Sequence, residues 1–157
     1  MLRPKLLVID TNVCVDYLLG TQPYCHDILS LFEKCARENI SLLYAPTTLK
    51  DVFYIIPRQL RRMDANNDVA HDQSAREQIA WACVETITGI ATAIPQALPE
   101  CNLAWMLRHR HGDFEDNLIV AAAETCDADY VVTYDKTLIE HFAPVCITPE
   151  QASDLLD

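Results

Sequence analysis

An α/β fold is predicted, a three-layer α/β/α sandwich with a central, parallel, twisted sheet. Three observations predict it. Short apolar runs rich in Val, Ile, Leu and Tyr alternate with longer stretches of helical periodicity. The first run, Leu6-Leu7-Val8-Ile9, is apolar throughout, as a strand buried on both faces must be. Strands separated by helices pair in parallel through right-handed crossovers, which places helices on both faces.

Each element has a local reason. After the first strand, Asn12 to Leu19 reads as a short helix stopped by Gly20. Tyr24 to Asn39 carries Ile28, Leu29, Leu31, Phe32, Cys35 and Ala36 on one helical stripe. Ser41 to Ala45 is the second strand. Pro46 can open the next helix, with Thr47 or Thr48 as cap, and the helix runs towards Arg62 with Pro57 as a kink or break. The polar stretch Met63 to Asp72, with Asn66-Asn67-Asp68, reads as a loop. Ser74-Ala75-Arg76-Glu77 has capping-box spacing and begins a helix to about Thr88. Ala91 to Ile94 is a third strand, Pro99 to His111 a helix, Asp113 to Cys126 another, and Tyr130 to Thr133 a fourth strand. Val145 to Ile147 is the last strand. Thr148-Pro149-Glu150-Gln151 combines a cap, a proline at the first helical position and a capping-box glutamine.

The 157 residues fit a single domain, 1–157, without internal repeats or low-complexity tracts. No apolar run approaches the roughly 18 residues of a membrane span. The N-terminal apolar stretch meets Asp10 too soon for a signal peptide. Seven scattered cysteines without a Cys-x-x-Cys pair read as reduced, buried thiols, and cytoplasmic residence is expected. The net charge of -11 argues against a non-specific grip on a phosphate backbone, which needs a basic surface. It does not exclude a nuclease, because bound cations offset local acidity.

Acidic residues fall at element ends that face one edge of such a sheet. Asp10 follows the first strand, Asp51 lies early in the helix after the second, and Asp135 ends the fourth. Asp113 and Asp116 open the alanine-rich helix. Ligands collect outside the carboxyl ends of parallel strands. Carboxylates crowded there repel one another unless they share a proton or a cation. Each acid also has a plainer reading. Asp10 can cap the helix that follows it. Asp113 makes a sensible N-cap with Asp116 in the first turn, where negative charge suits the helix dipole. Asp51 can be a surface carboxylate, and Glu115 reads as solvated.

Three segments in register carry a family resemblance. Val8-Ile9-Asp10-Thr11-Asn12-Val13, the run from Asp113-Phe114-Glu115-Asp116-Asn117 to Ala123, and Ala128 to Lys136 resemble the PIN-domain family over nearly the whole chain. The resemblance implies a divalent-metal-dependent endoribonuclease using Mg²⁺ or Mn²⁺, and the toxin of a toxin–antitoxin pair. RNA as substrate, an antitoxin protein as partner and a homodimer follow from it. The helix from Tyr24 to Asn39 or the one after Asp51 could supply the dimer interface. It implies catalytic roles for Asp10, Asp51, Asp113 and Asp116, with Asp10, Asp113, Asp116 and Asp135 as metal ligands. Thr11, Asn12 and Thr133 would orient the acids or hold water and phosphate. His109 and His111 flank Arg108 and Arg110 in a patch that either contacts phosphate or is simply solvated.

The chain departs from the family late. Tyr134 stands where arginine is usual, and Leu138 occupies the place of a later acid, leaving Asp135 as the replacement. A catalytically degenerate scaffold serving as a protein-binding module is the alternative, and metal binding separates the two.

Overall fold

A computed structural model describes residues 5–67 and 70–156. The sheet has five strands in the order β3-β2-β1-β4-β5, and every pairing is parallel. The strands are β1 (Leu6–Ile9), β2 (Ser41–Tyr44), β3 (Thr92–Ala93), β4 (Tyr130–Val132) and β5 (Cys146–Ile147). Among the described residues, eight helices connect and follow them: α1 (Thr11–Leu19), α2 (Tyr24–Glu38), α3 (Pro46–Asn67), α4 (Gln73–Ile90), α5 (Leu98–Leu107), α6 (Phe114–Thr125), α7 (Lys136–Phe142) and α8 (Pro149–Leu155).

Alternation along the strands divides the core into two layers. Leu7, Ile9, Leu42, Tyr44, Val132 and Ile147 point to one face, where α1, α2, α3, α4 and α8 bury residues such as Val13, Ile28, Leu31, Val52, Ile56 and Ile87. Val8, Leu43, Val131 and Cys146 point to the other, against Ile119, Ala122 and Ala123 of α6 and Leu138 and Phe142 of α7. Side chains of period two allow no other division. The alanines of α6 matter because they let the helix lie close on the sheet. All seven cysteines are free, and five of them are buried.

Caps explain the element ends, and here expectation and structure part in places. Gly20 closes α1 at φ 63°, a left-handed position that favours glycine. Asn39 closes α2 at φ 54°. Thr148 and Gln151 form the expected reciprocal box on α8. At α4, by contrast, the cap is Asp72, whose carboxylate accepts from the amide of Ala75 at 2.7 Å, and Ser74 lies inside the helix. Neither Thr47 nor Thr48 caps α3, since both hydroxyls are buried without a hydrogen-bond partner.

The helix α3 also runs unbroken through Pro57 to Asn67, so Met63 to Asn67 is helical where a loop was expected. Asp64 holds that end. Its carboxylate takes the His71 ring at 2.7 Å and Arg76 at 2.9 Å, stapling α3 to the start of α4. Residues 68–69 of the expected loop lie outside the described residues. The helix α5 stops at Leu107, four residues short of His111, and α7 is an element the sequence reading did not contain. Among the described residues, no helix is long and apolar enough to cross a membrane.

Candidate active site

The strand order reverses at β1. The chain steps from β1 to β2 and β3 on one side, then returns to β4 and β5 on the other. Such a switch point opens a crevice at the carboxyl edge of the sheet. Asp10 stands there, directly after Ile9, and its backbone amide donates to the Val132 carbonyl at 3.0 Å. A cleft of about 350 Å³ opens beside it, lined by Asp10, Thr11, Asn12, Asp51, Asp116 and Asp135 among others.

Asp10 is 5 % exposed, and three donors hold it. The Thr11 amide donates to Oδ1 at 2.6 Å, the Asn12 side-chain amide to Oδ2 at 2.9 Å, and the Thr133 hydroxyl to Oδ2 at 2.7 Å. The Thr133 oxygen in turn accepts from Asn12 at 3.0 Å and from the Asp135 amide at 3.0 Å. Asn12 completes the knot by accepting from the Tyr134 amide at 3.1 Å. β1 and β4 are thus tied together at their carboxyl ends. Asp10 also caps α1, so the plainer reading of this residue coexists with its place in the cleft. Burial pushes its carboxyl up to about 6, the bonds from Thr133 and Thr11 hold it down, and the charges of Asp116 and Asp135 push it further up.

Asp116, in the first turn of α6, has its carboxyl raised chiefly by burial, opposed by a hydrogen bond from His111 and supported by the charge of Asp113. Asp135 faces the same cleft and caps α7 through the amides of Thr137 and Leu138. Asp51, from α3, also lines the cleft. Lys50 places its ammonium 3.0 Å from Asp51 Oδ1 and 3.0 Å from Glu115 Oε1, linking α3 to α6.

Other expected residues fall elsewhere. Asp113 is exposed and spends its carboxylate on the amides of Glu115 and Asp116, as the N-cap of α6. It shapes the turn that presents Asp116 and does not line the cleft. Arg108 lies over the Trp105 ring, 3.6 Å from its centroid. Arg110 donates to the His141 carbonyl at 2.6 Å and covers Phe142. Neither arginine lines the cleft. The expected basic patch also loses His111, which is buried against Asp116.

Two cleft residues, Glu115 and Asp16, and one that backs Asp116, His111, are not marked by the sequence. Glu115 lines the cleft and pairs with Lys50, its side chain still partly solvated. Asp16 lines it from α1, four residues after Asn12, a spacing that could have revealed it. His111 gave no local signal, because an Arg-His run reads as surface.

The donor chemistry suits a hard divalent cation. Carboxylate oxygens are the ligands Mg²⁺ and Mn²⁺ take, and the cleft has room for an ion that keeps several waters. Among the described residues, no three His, Cys, Asp or Glu side chains are already gathered into a metal-binding group.

Comparison with known proteins gives the family and the fold. The sequence profile of the PIN domain matches residues 6–137. No curated protein sequence matches the chain. The fold is similar to that of a toxin–antitoxin complex from Klebsiella pneumoniae, with a TM-score of 0.59 and 16 % identity over 91 % of this chain and 97 % of that one. It is also similar to VapBC2 from Rickettsia felis, solved bound to a DNA fragment from their promoter, with a TM-score of 0.61 and 14 % identity over 91 % of this chain and 96 % of that one. With its profile match spanning most of the sequence and an acidic cleft at the switch point of a parallel sheet, this chain belongs to the PIN-domain family.

Proposed function

We propose that the chain is a divalent-cation-dependent endoribonuclease and the toxin of a toxin–antitoxin pair. One observation carries this reading: Asp10, Asp51, Asp116 and Asp135, from four separate elements, line one cleft. Asp10 and Asp116 would hold Mg²⁺ or Mn²⁺, with Asp51 and Asp135 accepting from its waters. When bound, the cation would offset charge on the scissile phosphate and lower the pKa of a water, which could then lose a proton to solvent and supply the hydroxide nucleophile.

The protein's own part is positioning. Thr11, Asn12 and Thr133 fix Asp10 through three hydrogen bonds, so that its orientation is set before substrate arrives. Asp113 holds the first turn of α6 and thereby Asp116. Arg108 and Arg110 have no role in this reading. The likeness of this fold to a toxin–antitoxin complex supports an antitoxin partner. The exposed Tyr54 and Trp81 on the α3–α4 hairpin would suit a protein contact, with that antitoxin or a second copy, in a cytoplasmic setting.

A non-catalytic scaffold is the second reading. It is favoured by Leu138, fully buried where an acid is usual. Incubation of end-labelled RNA with the purified chain separates the two. Cleavage is expected in Mg²⁺ or Mn²⁺, with none in EDTA, leaving a 5′-phosphate. Asp10→Asn should slow it by about a hundred-fold or more. Equal cleavage by wild type and Asp10→Asn, or none by wild type in either metal, would overturn the nuclease reading.

A further inference from the structure

Oδ2 of Asp116 lies 2.9 Å from Nε2 of His111. That imidazole is only 6 % exposed, and its other nitrogen, Nδ1, lies 2.9 Å from Nδ1 of His141 in α7. The two rings meet edge-on with centroids 5.1 Å apart, and His111 meets Phe142 edge-on as well. The backbone of His111 is held too, since the Asn117 side chain donates to its carbonyl at 2.8 Å. Arg110 secures His141 from the other side through its carbonyl. The helix α7 is therefore capped by Asp135 in the cleft, and its last turn sets His141 and Phe142 against His111.

We propose that His111 is a positioning residue for the cation site, holding Asp116 Oδ2 through Nε2–H so that the second oxygen serves the cleft, with His141 fixing the tautomer. The proposal rests on the nuclease reading. Opposite an ionised carboxylate, Nε2 must carry the proton. In the neutral ring Nδ1 is then an acceptor, and the hydrogen on His141 Nδ1 points to it. A carboxylate without this partner would have to lose rotamer freedom when the ion binds. Partners of this kind are worth about 10–100-fold in metal affinity.

The competing role for a buried ring is packing alone. Two substitutions separate the roles. His111→Leu keeps apolar bulk and removes the donor, whereas His111→Gln restores an N–H donor on a flexible chain. Mn²⁺ affinity is measured by calorimetry at about pH 8, above the ordinary histidine range. Melting temperature in EDTA and ¹⁵N signals of the ring nitrogens accompany it. Expected are a wild-type His111 protonated on Nε2, about 10-fold or greater loss of Mn²⁺ affinity in His111→Leu, and recovery to within a few-fold in His111→Gln.

Wild-type affinity in His111→Leu would overturn the proposal. So would equal losses in both variants that follow their melting temperatures, or a wild-type ring protonated on Nδ1 alone. A wild-type protein that takes up no Mn²⁺ would overturn this proposal and the nuclease reading together. Uptake that is indifferent to His111→Leu would overturn only the positioning role.

Discussion

Replacing Asp10 by asparagine should stabilise the metal-free protein at neutral pH. The carboxyl is 5 % exposed, and burial raises it from 3.8 to about 6. Because the folded-state value lies above the unfolded one, this group's contribution to stability is fully present below about pH 4. It declines as pH rises and is lost above about 6. Two units correspond to roughly 3 kcal/mol withheld from the ionised, metal-free fold. The amide does not recover all of it. Oδ1 accepts from Thr11 while Oδ2 accepts from Asn12 and Thr133, and an amide cannot accept at both positions. Losing one such bond costs about 1–2 kcal/mol. The net gain at pH 8 is therefore about 1–2 kcal/mol, a rise of about 2–8 °C for a chain of this size. Thermal unfolding followed by circular dichroism in EDTA, at several pH values, measures it. The advantage should shrink on acidification and vanish or reverse near pH 4. A variant less stable than wild type at pH 8, or a difference constant across pH, would refute the reasoning.

Other substitutions test the fold and the limits of the site. Thr148→Ala removes the reciprocal cap of α8 and should cost about 1 kcal/mol in chemical denaturation. Leu7→Ala hollows the core under β1, where the side chain is fully buried, and should cost about 2–5 kcal/mol. Arg108→Ala should leave RNA cleavage within a few-fold of wild type, because the guanidinium is stacked on Trp105 away from the cleft. A loss of cleavage comparable to that of Asp10→Asn would return Arg108 to the site.

The features legible in the sequence are those set by neighbours along the chain. An apolar strand running into Asp10 places an acid at a sheet edge, and Gly20, Asn39 and Thr148 mark helix ends by local conformation alone. The features that were not legible depend on distant contacts. Asp72 and Ser74 both satisfy a capping pattern, and the sequence does not choose between them. The passage of α3 through Pro57 costs a helical hydrogen bond, recovered by the burial of Val52 and Ile56 and by Asp64 at the far end. The helix α7 has seven residues, too few for periodicity to stand out. Glu115 is held at the cleft by Lys50, and His111 is held behind Asp116 by that carboxylate and by His141, partners that local pattern does not disclose.

The cation itself provides the most direct test. Crystals soaked in Mn²⁺ should show one anomalous peak in the cleft, with direct carboxylate distances of about 2.0–2.2 Å to Asp10 or Asp116. Asp51 and Asp135 should lie within reach of its waters, and the peak should be absent from crystals of Asp10→Asn. A wild-type cleft that stays empty at saturating Mn²⁺, or a peak bound outside the reach of both Asp10 and Asp116, would contradict a cation-dependent nuclease.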